Sequence, residues 1–216
     1  TGGILTITAN DGSASTTGAA EGTADFTMAT GVVLTSGSGN IVLSAEGNAT
    51  VEDITTTGNI TITSTTGSIL EASSGNLLSG ALVTLNAATG SGDSVGTNLS
   101  RINTTATNLA GTAGTGGFFV DETNDVLINA ITITGAGAVT VSAASGKIDE
   151  NTENATANIV SSGTVTLTAS TSIGTDGATG IDITGGILVL DAGDIDVIVV
   201  TGTDLTDLTM TTVLAG

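Results

Sequence analysis

One short phrase recurs along this chain, and it limits the fold more than any other feature. It reads GNIVLSA at 39–45, GNITITS at 58–64, GALVTLNA at 80–87, GAVTVSA at 137–143 and GTVTLTA at 163–169. The two ends carry close variants, GGILTITA at 2–9 and GGILVLDA at 185–192. Each phrase starts with glycine and then alternates an aliphatic with a short polar residue. In a strand, alternation puts Ile60 and Ile62 on one face and Thr61 and Thr63 on the other. The leading glycines 39, 58, 80, 137, 163 and 185 are spaced by 19, 22, 57, 26 and 22 residues. The gap of 57 is three times 19, so two weaker units are expected between residues 80 and 137. A second glycine, as at 47, 67, 90 and 146, divides each unit into at least two strands with turns between.

A β-rich period near 20 residues describes a solenoid. One coil cannot bury its inward side chains, whereas stacked coils share a continuous core. The expected fold is all-β, a right-handed parallel β-helix with coils of roughly 20 residues. Stacked about 4.8 Å apart, roughly ten coils make a rod about 50 Å long. The phrase repeats because each coil must match the inward pattern of its neighbour. Residues 1–216 are read as one β-helix domain, with no linker. The less regular stretches, near 10–30 and 91–130, are read as coils with altered corners. Strand-like pieces there cover 101–109, 117–120 and 125–128, and Phe118 and Phe119 are expected to fill a wider layer or cover a side of the rod.

Composition agrees with thin, uniform layers. Hydrophobic residues make up 39% of the chain but aromatics only 1%, so the apolar material is almost all Ala, Val, Ile and Leu. Glycine is abundant without a Gly-X-Y period, which excludes a collagen helix. There are 21 acidic residues against two cations, Arg101 and Lys147, for a net charge of −19. Such a surface repels nucleic acid and anionic membranes. No apolar run reaches the length of a membrane span, so no membrane insertion is expected. Cysteine and histidine are both absent, which removes disulfides, thiol chemistry, thiolate sites and imidazole ligands.

The phrases GNIVLSAEGNATVED (39–53), GNITITSTTGSILEA (58–72) and GAVTVSAASGKIDEN (137–151) resemble the repeats of large bacterial surface β-helix proteins. The closest comparison is with the filamentous haemagglutinin-like adhesins and related β-strand-repeat proteins. The segment GSGDSVGT (90–97), followed by Leu99, Ala110 and GGFFV (116–120), also resembles a recurrent phrase of those chains. The resemblance covers most of residues 31–192. It implies secretion, an extended rod, and display at a bacterial cell surface as part of a very long chain or a fibre. It carries no active-site residue.

The acidic clusters are the chemistry-bearing groups. Asp121, Glu122 and Asp125 form one, Asp149, Glu150 and Glu153 a second, and Asp191, Asp194 and Asp196 a third. Two readings stay open for them: solvated turn residues, or oxygen ligands for a hard cation such as calcium. No other cofactor is expected. Catalysis is not expected either, because a glycan-cleaving carboxylate pair would lack histidine, aromatic platforms and more than one arginine. Thr1 lies next to a core-type strand, so the chain is read as a processed form or a piece of something longer. The tail 204–214 also alternates like a strand, and neither end offers a cap. Either the rod continues in a parent chain, or copies join head to tail through terminal strands into a filament. Two functions follow: a structural rod or fibre, or an adhesin presenting a binding face. The scarcity of exposed aromatics favours the structural one.

Overall fold

A computed structural model describes residues 2–9, 24–151, 157–174, 180–199 and 207–212. Among them there is no helix, and every strand pairing is parallel. The chain is a parallel β-helix, as the period required. One inward row runs Ile7, Leu43, Ile62, Leu85, Gly111, Ile131, Ile159, Ile183, each in register with the next, and the Val199 backbone pairs with the last of them. A second runs Phe26, Ala49, Ile69, Val95, Phe118, Val139, Val165, Leu188, and the Leu208 backbone pairs with the last of them. Nine rungs 4.8 Å apart span about 38 Å.

Alternation decides which side chains are inside. In Ile60–Ser64 the residues alternate buried and half-buried, with Ile60 and Ile62 fully enclosed. Removing such a side chain from water stabilises the fold by about 1.5–3 kcal/mol. Stacking then presses like on like, so small and branched groups interlock evenly from coil to coil. Gly111 is the exception in its row. Its missing side chain leaves room for the Phe118 ring, whose Cε2 lies 2.6 Å from where a Gly111 Cβ would sit. Phe118 therefore fills the core. Phe119 points to the opposite side of the same strand, lies outside the core cluster, and is nevertheless buried.

The cross-section changes along the rod. In the early coils the second and third faces are separate strands, as in Ala49–Val51 and Asp53–Thr56. From Gly117–Glu122 onward they merge into one straight strand, repeated in Val139–Ala143, Thr164–Ala169 and Ile187–Ala192. The first face changes in the opposite sense. Val126–Ile133 runs straight, and the next coil divides it into Ile148–Glu150 and Ile159–Val160. The irregular stretch at 91–130 is thus where the corners shift, and its strands Ile102–Ala113 and Val126–Ile133 run further than the sequence suggested.

That shift corrects the reading of the glycines as one row. Gly39, Gly58 and Gly80 stack on each other ahead of the first face. Gly114, Gly137, Gly163 and Gly186 stack ahead of the second. The 57-residue gap does contain two further first-face strands, but the phrase after it occupies a different face. The matching end phrases at 2–9 and 185–192 also occupy different faces. Successive second-row residues lie 20 to 26 apart, at or above the expected 20, because corners hold a variable number of residues.

Corners break the ladder of backbone bonds, and side chains repair it. The Asp25 carboxylate accepts the Asn48 N–H at 2.6 Å, the Asn48 amide oxygen accepts Ser68 N–H at 2.9 Å, and Asn40 does the same for Asn59 at 3.0 Å. Asp53 and Asp125 take Leu77 and Lys147 N–H, each at 2.9 Å. In each case the oxygen comes from one coil and the N–H from the next. Buried hydroxyls add a second device. Thr56 donates to Gly39 O at 2.6 Å and accepts from Gly58 N at 2.9 Å; Ser161 does so with Gly137 O and Gly163 N at 2.6 and 2.9 Å.

Candidate functional site

A recess of the described surface lies where the corners shift. A groove of about 500 Å³ lies beside the third face, lined by Asn76, Leu77, Arg101, Asn103, Asp121 and Thr123 among others. Arg101 pairs with Asp121 (Nη1 to Oδ1, 2.8 Å), and both side chains remain partly exposed. An ion pair so placed contributes at most about 1 kcal/mol. Next to it Glu71 Oε1 accepts from the Asn103 side chain at 2.7 Å and from its N–H at 3.1 Å. Burial, with the nearby Asp121 charge in the same sense, raises the Glu71 carboxyl above its ordinary value, against the hydrogen bonds from Asn103 and Ser100.

Glu122, grouped by sequence with Asp121 and Asp125 as a solvated turn residue or a calcium ligand, is neither solvated nor on a turn. It follows Phe118 and Val120 at the two-residue spacing, so it points inward, and it is buried. Its register partners are Thr104 before and Ala143 after. Four donors hold the carboxylate: Thr104 hydroxyl at 2.7 Å and Ala106 N–H at 3.0 Å on Oε2, Thr123 and Asn124 N–H at 2.9 and 3.3 Å on Oε1. Three of the four are backbone N–H groups at the shifting corner, and the Thr123 N–H also donates to the Thr104 carbonyl at 3.0 Å. Burial still outweighs them and raises the carboxyl above 4.5. The folded chain then keeps a proton that the unfolded chain has released. Its contribution to stability is full below about pH 4.5 and is lost as pH rises through the raised value. The melting temperature is expected to rise on acidification from pH 8 toward pH 5, and Glu122→Gln to flatten that slope. The net charge of −19 acts in the same direction, so the difference between the two slopes isolates Glu122. Identical slopes would remove it as a titrating group.

The remaining expected ligands are spread out. Asp125 is engaged with Lys147 N–H. Asp149 is buried, paired to Lys147 Nζ at 2.9 Å, and accepts the Glu150 N–H at 2.9 Å. Glu150 is buried beside it. Glu153 lies outside the described residues. Asp191 and Asp194 are exposed and Asp196 half-buried at the C-terminal rung. Among the described residues no three acidic side chains converge in a way that could hold a metal ion. No described helix is long and apolar enough to cross a membrane.

Sequence reasoning missed Glu71, because its partner Asn103 is 32 residues away and only the stacking brings them together. It also missed the bridging hydroxyls, although a Ser or Thr two residues before a corner glycine, as in Thr56–Gly58 and Ser161–Gly163, was there to be read. Comparison with protein-family models, with curated proteins and with solved structures gives no match.

Proposed function

We propose that this chain is a non-catalytic structural rod that stacks end to end with copies of itself, forming a fibre or matrix outside a bacterial cell. The state of the terminal rungs carries this reading. Leu5, Ile7, Phe26 and Leu34 face inward yet are only partly buried, while Ile41, Leu43, Ala49 and Ile54 one rung on are enclosed. The strand Leu5–Ala9 pairs with Ile41–Ala45, and among the described residues nothing pairs with its other edge. At the far end Asp207–Thr212 pairs, among the described residues, with Ile187–Ala192 alone, and Ile195 and Val197 are partly buried. Strand edges that no other strand covers recruit further strands. A head-to-tail contact joins two different surfaces and does not close, so it grows into a filament. The resemblance to bacterial surface β-helix proteins supports the extracellular placement. Sedimentation and electron microscopy of the purified chain are expected to give thin linear particles that lengthen with concentration. A monomer that persists across the micromolar range would end the proposal.

A second reading, an adhesin rod, is favoured by one observation: the groove at Arg101 offers donors, acceptors and the half-exposed Leu77 on the side of the rod. If it binds a surface or cell partner, Arg101→Ala should weaken adhesion at least tenfold and leave the melting temperature within about 2 °C, because the ion pair is exposed. Unchanged adhesion would remove the groove from that role.

A further inference from the structure

We infer that two copies of this chain pair side by side, the Leu99 turn of each seated in the Arg101 groove of the other about a two-fold axis. The contact is lateral and uses neither end of the rod, so it stands or falls separately from the fibre.

Leu99 is 98% exposed, the most exposed large hydrophobic side chain among the described residues. Its turn is firmly built. Thr97 N–H donates to Ser100 O at 2.8 Å, and Ser100 N–H donates to Thr97 O at 3.2 Å and to Thr97 Oγ1 at 3.0 Å. The feet of the turn are fixed as well. Gly96 N–H donates to Ile69 O at 2.8 Å, Ser100 Oγ donates to Glu71 Oε2 at 3.4 Å, and Arg101 pairs with Asp121. Residues 97–100 carry no charge, so the turn is a neutral knob with a leucine at its tip. A knob already ordered loses little further freedom when a partner covers it.

The groove lies beside the knob. Arg101, two residues on from Leu99, is both the foot of the turn and a wall of the groove. The two Cα atoms are at most about 7 Å apart. Exposed Ala144 and Leu77 give the groove apolar walls, and buried Asn76 and Glu122 belong to its lining. At about 500 Å³ it has room for a leucine side chain and the tip that carries it. An isologous contact needs knob and groove on one face, because a single two-fold then seats both knobs at once. Charge selects this face. At a net charge of −19, two copies repel over most of their surface. The chain's two cations both belong here: Arg101 on the groove wall, and Lys147 three residues past Ala144. The Asp121 side chain, paired with Arg101 at 2.8 Å, keeps 43% of its surface exposed. The axis that seats the leucines therefore also brings Arg101 of each copy toward Asp121 of the other.

The test uses the full chain, which has no native cysteine. Leu99→Cys is mixed with an affinity-tagged Ala144→Cys chain and oxidised. The disulfide-linked pair should form in about tenfold higher yield than with tagged Thr168→Cys, an exposed residue of Thr164–Ala169. Leu99→Ser should weaken the pairing seen in sedimentation about tenfold and leave the melting temperature within about 1 °C, since Leu99 is bare in the single chain. Ala144→Phe, which fills the groove from an exposed position, should weaken it likewise. Equal yields through residues 144 and 168, or undiminished pairing in Leu99→Ser, overturn the contact whatever the ends do. Filaments that never pair sideways overturn it and leave the fibre standing; side-by-side pairs that never elongate do the reverse. Adhesion lost in Arg101→Ala while Leu99→Ser pairs normally would give the groove to an outside partner and overturn this one.

Discussion

Replacing Gly163 by alanine is expected to lower the melting temperature by about 6–12 °C, corresponding to a loss of about 3 kcal/mol. The new methyl would sit 2.5 Å from the Ala136 carbonyl oxygen and 2.6 Å from that of Gly137. Both atoms belong to the backbone of the preceding coil, so no side chain can rotate away. The coils would have to separate at that corner, straining the hydroxyl bridge that Ser161 makes between Gly137 and Gly163. Two controls separate crowding from glycine's conformational freedom. Gly92 has a φ of 87° with open space around it, so alanine there should cost only about 1–2 kcal/mol from left-handed strain. Gly3 has open space and no positive φ, and alanine there should be neutral within about 0.5 kcal/mol. Thermal melts of the three variants check the order; equal losses would show that proximity between coils is not what Gly163 provides.

Phe118→Ala is expected to destabilise the chain by about 3–5 kcal/mol. The ring is fully enclosed, and it fills the space that Gly111 leaves open in the adjoining row. Val95 before it and Val139 after it are too short to close the gap. Gly111 cannot be enlarged to compensate, because its Cβ would also collide with the Leu85 carbonyl. Phe118→Leu should recover most of the loss, and denaturant midpoints measure both. A loss below about 1 kcal/mol for alanine would mean that the coils collapse onto the vacancy.

The solenoid was legible because its physics is local. Alternation in GNITITS states which side chains go inward, and recurrence near 20 residues states that the coils stack. What could not be read was where each phrase sits around the coil. GALVTLNA and GAVTVSA look alike, yet they occupy different faces, because both obey the same rule of inward aliphatics after a corner glycine. The burial of Glu122 was missed for a related reason. Asp121 and Glu122 are neighbours in sequence, but the pleat sends one to Arg101 at the surface and the other into the core. Counting two residues on from Val120 would have found Glu122. Nothing local points from Glu71 to Asn103, since their separation depends on how many residues the intervening corners hold.

The side-chain oxygens that bridge the corners, with the parallel strands between them, have a mechanical consequence. No disulfide joins one coil to another, because the chain has no cysteine. A pull on the two ends therefore works against a single layer of bonds at a time, and the coil at the tip peels before its neighbour is loaded. Each event frees 20 to 26 residues, or roughly 65–90 Å of slack. A tether made this way yields in steps and dissipates a sudden tug, while the remaining rod keeps its shape.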